Sequence, residues 1–266
     1  MRYISNRKCN SRDIRKCSTI FKSIKFIKEL GRGSYGVVYD AEGTYKSNKY
    51  KFAIKEIRNV SYSDINNEYN YSVSMSNMHL GPKVFDAFYV PSGNKFTQYI
   101  FMEKYHDTVH KLLVFPGIST FDKKILINKM LMLLYTKIFK SNVICYDIKP
   151  NNYVFKVSKG EIDVRLIDFG QEFCEPNELP NNRRIVILLL LMVQLAYILK
   201  KYIPGISKAL GIFDESSTLF KNRMKYVRWC SIELSKNKKL YDNYKHYIHP
   251  NKNFNLYQDF ANVLRG

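Results

Sequence analysis

Apolar and polar positions follow two rhythms along this chain, with an exchange of one for the other about a third of the way in. Residues 24–30 (Ile24-Lys25-Phe26-Ile27-Lys28-Glu29-Leu30) alternate in part with a period of two, as do Val37-Val38-Tyr39-Asp40-Ala41 and Tyr50-Lys51-Phe52-Ala53-Ile54-Lys55, which predicts strands. A helix is predicted over 63–78, the break Gly81-Pro82 follows it, and paired strands 83–90 and 98–102 flank the turn Pro91-Ser92-Gly93-Asn94. Beyond residue 103 the helical rhythm dominates. A short helix holds Leu112, Leu113 and Val114, and a longer one, 121–139, gathers Ile125, Leu126, Met130, Leu133 and Leu134 largely on one side. One further pair of strands, 153–157 and 163–167, is joined by Ser158-Lys159-Gly160. The run 185–199 is strongly apolar and bracketed by Arg183-Arg184 and Lys200-Lys201. A spanning helix needs ~20 apolar residues; this run is shorter and carries Gln194, so a buried central helix is the better account. Helices are also predicted over 217–235, 238–247 and 254–264.

Polar residues that interrupt these rhythms carry the candidate chemistry. Asp147, Lys149 and Asn152 form a D-x-K-x-x-N spacing after the helix of 121–139, and the following hairpin ends on Asp168-Phe169-Gly170. A hairpin returns its two ends to one place, so Asp147, Asn152 and Asp168 are expected to converge around a divalent cation. Upstream, Gly31-Arg32-Gly33-Ser34-Tyr35-Gly36-Val37-Val38 is a G-x-G-x-x-G-x-V stretch. A dinucleotide-binding turn shares the G-x-G-x-x-G spacing but opens a helix; here a strand continues, which suits a flap whose backbone N–H groups approach phosphates. Lys55 places one ammonium inside an apolar strand, where it needs an anion. Glu68 is the candidate partner, and Asp64 is expected to cap the helix.

Taken together and in this order, the motifs resemble the eukaryotic-type serine/threonine protein kinase superfamily over roughly 24–199. The resemblance implies an α+β, bilobal protein-kinase-like fold: a basic leader (1–23), a β-rich N-lobe (24–102) and a helical C-lobe (103–266) forming one catalytic domain. It implies ATP and Mg2+ as cofactors, with Mn2+ as a substitute. Asp147 and Lys149 take the catalytic positions, and Asn152 and Asp168 the metal positions. Gly31, Gly33, Ser34, Gly36, Val38, Ala53, Lys55, Glu68, Met102, Glu103 and Tyr105 take the nucleotide-binding ones, the last three at the hinge between lobes. Two departures stand out. Cys145-Tyr146-Asp147 replaces H-R-D, so no arginine is present to receive a phosphorylated activation loop. The segment after Gly170 is short, without A-P-E, which resembles the compact kinases of large DNA viruses and leaves the platform for a peptide in question.

Composition changes this picture only at its edges. A hydrophobic share of 45% in 266 residues is ample for a core. The formal net charge of +20 attracts polyanions: nucleotides, acidic proteins, or nucleic acid without sequence specificity, since Lys and Arg are scattered. Five cysteines with no C-x-x-C pair, and no apolar signal segment, suit a reducing compartment, the cytoplasm of a host cell or a virion if the chain is viral, and predict no disulfide framework. His106 and His110 are four apart but lack a third ligand nearby, and are read as surface or satisfied histidines. Three readings stay open: a protein kinase acting on a protein hydroxyl, a small-molecule kinase, and a non-catalytic kinase-like binding or scaffold protein.

Overall fold

The computed structural model describes residues 6–176, apart from 12, 34, 35, 63, 142, 146 and 171–173, together with residue 202. The predicted helices 185–199, 217–235, 238–247 and 254–264 lie outside the described residues, as does most of the short segment after Gly170. The fold is α+β and kinase-like, and the chain divides into two compact units. One comprises Met1–Asp107 with Val154–Cys174, the other Thr108–Tyr153 with Glu175–Gly266.

The first unit is built on a six-stranded sheet of order β1-β5-β6-β4-β3-β2. Its strands are β1 (Arg7–Lys8), β2 (Lys22–Arg32), β3 (Gly36–Tyr45), β4 (Asn48–Val60), β5 (Val84–Ser92) and β6 (Lys95–Glu103), with helix α1 (Asn67–Asn77) between β4 and β5. The predicted strands are thus present and longer than their alternating cores, because ladder hydrogen bonds extend each antiparallel pair into its turn. β5 and β6 pair as far as Ser92 with Lys95 around Gly93, whose φ of 63° needs the freedom of glycine.

Each face of this sheet buries a different set of side chains. Phe52, Ile54, Phe88, Tyr99 and Phe101 form one core with Cys17, Phe21 and Ile24, and Phe21 stacks on Phe52 with ring centroids 4.3 Å apart. Ile57, Val84, Ala87 and Ile100 form the other with Tyr69 of α1. The basic leader therefore packs on the body. From Asn6 to Phe21 it adds a parallel strand beside β5 and covers the face opposite α1. Arg7 meets the buried Asp86 at 2.6 Å, and Ser18 Oγ and the Thr19 N–H also donate to that carboxylate. Cys9 and Cys17 are joined as a disulfide, which corrects the expectation of none. Spacing could not reveal it: the seven intervening residues contain no pattern, and the pairing depends on the turn of Ile14–Lys16 bringing both sulfurs to one place.

Helix α1 begins at Asn67 rather than 63. Asp64 does not cap it; it closes an earlier turn with Ser61, while Asn66 stands at the cap position without a side-chain hydrogen bond. The unit is completed by β9 (Tyr153–Ser158) and β10 (Glu161–Leu166), a hairpin whose Lys159 and Gly160 have φ of 51° and 78°. Those values fit a two-residue turn that matches strand twist.

In the second unit, the two-residue strand β7 (Asp107–Thr108) leads into α2 (Val109–Val114), followed by α3 (Thr120–Lys140) and β8 (Val143–Cys145); a last short strand is β11 (Cys174–Pro176). Thr108 caps α2 through the Lys111 N–H. α3 buries Leu126, Ile127, Met130 and Leu134, so Ile127 joins the apolar stripe where Ile125 and Leu133 are only half-buried. Among the described residues no helix is long and apolar enough to cross a membrane.

Candidate active site

Register, more than proximity in sequence, decides which side chains share the working face of the sheet. Val38 lies opposite Lys55, Lys55 opposite Ile100, and Ala53 opposite both Asp40 and Met102. Directly opposed residues in antiparallel strands project to the same side. Val38, Ala53, Lys55 and Met102 therefore stand on the face that carries α1.

There Lys55 Nζ donates to Glu68 Oε1 and, at 2.7 Å, to Asp168 Oδ1. Lys55 and Glu68 are 14% and 12% exposed, so that pair is nearly dry, whereas Asp168, 38% exposed, reaches solvent. Burial works against the lysine's charge, yet Glu68 and then Asp168 outweigh it and hold the ammonium well above the usual lysine range. Burial pushes the Glu68 carboxyl up, Lys55 draws it back, and Asp168 adds to the rise. The two shifts have different main causes, the carboxylates for Lys55 and burial for Glu68, but the geometry places two carboxylates on one ammonium and so leaves an excess negative charge at the site. That excess suits a cation.

Asp168 is positioned from three sides. The Leu166 N–H donates to the Leu80 carbonyl at 2.8 Å, tying the end of β10 to the segment after α1. Phe169 is buried against Gly81, where an added Cβ would lie 3.1 Å from Met75 Cβ and 3.2 Å from the Phe169 ring. Asp168 itself has φ of 67°, in the left-handed region that aspartate enters more readily than most side chains. Leu80, Met75 and Gly81 had drawn attention only as helix and break. Nothing in their spacing announces that they seat an aspartate 87 positions after Gly81.

The glycine loop divides in two. A Cβ on Gly36 would come 2.0 Å from the Glu56 carbonyl oxygen, so the fold itself demands glycine there. Among the described residues, none lies within 4 Å of a Cβ added at Gly31 or Gly33. Packing against the described residues does not require glycine at either position. Ser34 lies outside the described residues.

At the predicted hinge, the Glu103 N–H is committed to the Lys83 carbonyl at 2.7 Å and cannot serve a ligand as donor. The Glu103 carboxylate pairs with Lys156, and the buried Tyr105 donates its hydroxyl to Asp163 at 2.9 Å. Burial, with Glu103 and Asp163 nearby, holds that phenol protonated far above its usual range. Asp40, missed in the sequence, is 4% exposed and pairs with Lys104 at 2.7 Å; its Oδ1 has no hydrogen-bond partner among the described residues. An acidic residue breaking a β pattern was the available signal.

In the second unit, Lys149 Nζ meets Asp147 Oδ2 at 2.6 Å, with the two side chains 49% and 11% exposed. Asn152 is buried; its amide nitrogen donates to the Asp147 carbonyl at 3.0 Å and its N–H to the Lys149 carbonyl at 2.8 Å. These bonds fold the D-x-K-x-x-N stretch into a loop closed on itself. Both histidines are engaged: His106 Nδ1 accepts from the Val157 N–H at 3.3 Å, and His110 Nδ1 lies 2.7 Å from the Tyr202 hydroxyl.

Comparison with known proteins identifies the family. A probable serine/threonine-protein kinase, fhkB of Dictyostelium discoideum, is 28% identical over 174 residues. The match takes in 63% of this chain but only 14% of that protein. The family model described as protein kinase domain matches residues 24–179, which include the glycine loop, Lys55, Glu68, Asp147, Asn152 and Asp168. With more than half of its length matched, the chain belongs to the protein kinase domain family.

Proposed function

We propose that this protein is an ATP-dependent serine/threonine protein kinase, moving the γ-phosphoryl group of ATP to a protein hydroxyl. The observation that carries the reading is the nearly dry Lys55 held between Glu68 and Asp168. A structural lysine needs one counter-ion. Two carboxylates on one ammonium leave a site short of positive charge, which the lysine's own fold does not require.

On this reading Gly31, Gly33, Ser34 and Gly36 cover the phosphates, and Val38, Ala53, Met102 and the backbone at Glu103 and Tyr105 hold the base. Lys55, steadied by Glu68, orients the phosphates. Asp168 and Asn152 offer only oxygen ligands, a donor set that fits a hard divalent cation. When bound, Mg2+, or Mn2+ in its place, neutralises charge on the phosphates. Asp147 orients the acceptor hydroxyl and takes its proton, and Lys149 stabilises the transferred group. Lysine two positions after the catalytic aspartate favours serine or threonine over tyrosine.

The small lobe is then 24–102 with leader 1–23, and the large lobe 103–266. The charge of +20 favours an acidic protein substrate and permits non-specific contact with nucleic acid. The shortened segment after Gly170 supports a viral-type enzyme, working in the cytoplasm or packaged in a virion. The test is incubation of purified protein with labelled ATP and Mg2+ beside Lys55→Met and Asp168→Ala, offering basic and acidic proteins and small-molecule alcohols as acceptors. Label on serine or threonine, lost in both variants, supports the reading. Label only on small molecules replaces it with a small-molecule kinase, and undiminished transfer by Asp168→Ala refutes the site.

A further inference from the structure

The segment from Asn6 to Phe21 precedes the 24–179 stretch that the protein kinase domain matches, yet it is bonded to the helix that bears Glu68. Asn6 Nδ2 donates to the Ile65 carbonyl at 2.9 Å and to Asn66 Oδ1 at 3.0 Å. Asn66 is the residue at the cap of α1, two positions before Glu68, and its own side chain makes no capping bond. The Ile65 carbonyl also accepts from Gln98 Nε2 of β6 at 2.6 Å, so the start of α1 is pinned jointly by the sheet and by the leader. One residue further along, Arg7 grips Asp86, the Ala87 carbonyl and the Cys17 carbonyl. The Cys9 N–H then continues the strand by donating to the Tyr89 carbonyl at 2.8 Å. The Cys9–Cys17 bond closes the loop behind these contacts, with Cys17 buried in the core and Cys9 half-buried.

We propose that residues 6–21 form a strap that positions helix α1, and through it Glu68 against Lys55, and that the Cys9–Cys17 disulfide is its latch. Asn6 is a positioning residue: it touches neither substrate nor metal and acts on the Lys55 cluster through Ile65 and Asn66. The latch opens by thiol–disulfide exchange with a dithiol. A thiolate of the dithiol attacks one sulfur of the pair, the S–S bond breaks to give a mixed disulfide, and the second thiol of the dithiol resolves it. Two electrons and two protons pass to Cys9 and Cys17, which become thiols, while the dithiol is oxidised to a disulfide. A disulfide in a reducing compartment is characteristically an exchangeable, sensing one. The half-exposed Cys9 gives the reductant a way in. Opening the loop frees the Cys17 carbonyl from Arg7 and loosens the strand that carries Asn6.

The catalytic consequence rests on the phosphotransferase reading; the mechanical one does not, and the test separates them. Amide hydrogen exchange is followed on the full chain, oxidised and after dithiothreitol, in wild type, Asn6→Ala, Asn6→Gln and Cys9→Ser. We expect exchange across 67–77 to quicken about tenfold in Asn6→Ala and in the reduced wild type, with β4 and β6 unchanged. Asn6→Gln, which keeps the amide donor, restores protection, and dithiothreitol adds nothing in Cys9→Ser. Alongside, KM for ATP rises several-fold in Asn6→Ala while the unfolding midpoint barely moves, a split that a merely structural asparagine would not give. Protection of 67–77 that is equal in wild type and Asn6→Ala overturns the strap. Protection indifferent to dithiothreitol in the wild type overturns the latch. Loosening of α1 in a protein that transfers no phosphate keeps the strap and refutes the kinase reading instead.

Discussion

Two lysines proposed for this chain's active site stand in opposite surroundings. Lys55 is 14% exposed and faces two carboxylates, whereas Lys149 is 49% exposed and faces one. Charge attraction grows as water is excluded, and so does the cost of leaving one partner alone. The buried lysine is therefore committed to one geometry. Its half-exposed counterpart, screened by solvent, contributes little to stability and is not held to one geometry. The same residue type thus serves as a fixture in one unit and as an adaptable contact in the other.

Removing the fixture has the largest expected effect. Lys55→Met lowers phosphate transfer by about a thousandfold or more, the scale of losing a preorganised electrostatic contact. It also strands two carboxylates and costs roughly 3–5 kcal/mol of stability near neutral pH, read by denaturant unfolding. The sign of its pH dependence follows from Glu68, whose folded pKa lies above its ordinary value. A carboxyl with a raised folded pKa disfavours folding above that pKa and ceases to do so below its unfolded one. The variant should recover stability as the solution is acidified toward pH 5. Wild type, with its raised Lys55 pKa, keeps the lysine's contribution throughout the neutral range and loses it only in strong alkali. A variant equally unstable at both pH values would break the comparison.

The exposed partner predicts the converse. Lys149→Ala lowers transfer by roughly a hundredfold and shifts stability by less than about 1 kcal/mol. Steady-state kinetics and thermal unfolding of one preparation check both halves, and a large loss of stability would mean that the loop of Asp147 and Asn152 depends on the ion pair.

The smallest effects sharpen the distinction between packed and open positions among the glycines. Gly36→Ala forces a carbon onto the Glu56 carbonyl and destabilises by about 1–3 kcal/mol. Gly33→Ala meets nothing and leaves the unfolding midpoint within about 0.5 kcal/mol, while raising KM for ATP. Equal loss of stability at both positions would remove the argument that a ligand explains Gly33.

How legible the molecule was in its sequence varies with the range of the interaction. The strands of the first unit and the helix 121–139 could be read because burying one face imposes a local period of two or of about 3.6. Glu68 could be named as the partner of Lys55 because a buried ammonium demands an anion and few were available. Asp64 was misjudged as a cap because its competing turn with Ser61 leaves no trace in the helical pattern. That the basic leader packs on the body was not legible, since Arg7 reads as surface charge until Asp86, 79 positions away, is seen beneath it.

The order of residues alone settled which chemical groups this protein possesses: a glycine flap, one lysine set among apolar neighbours, and the aspartates and asparagine of two short motifs. Spacing sufficed for that, because turns and strands are dictated by near neighbours. Only the folded chain decided that Asp168 leans on Lys55, that Phe169 and Gly81 hold it there, and that the segment before the family domain reaches the start of the Glu68 helix. Those facts depend on strand register and on contacts between residues far apart in sequence, whose entropic cost is met by the whole sheet and by no local stretch of it.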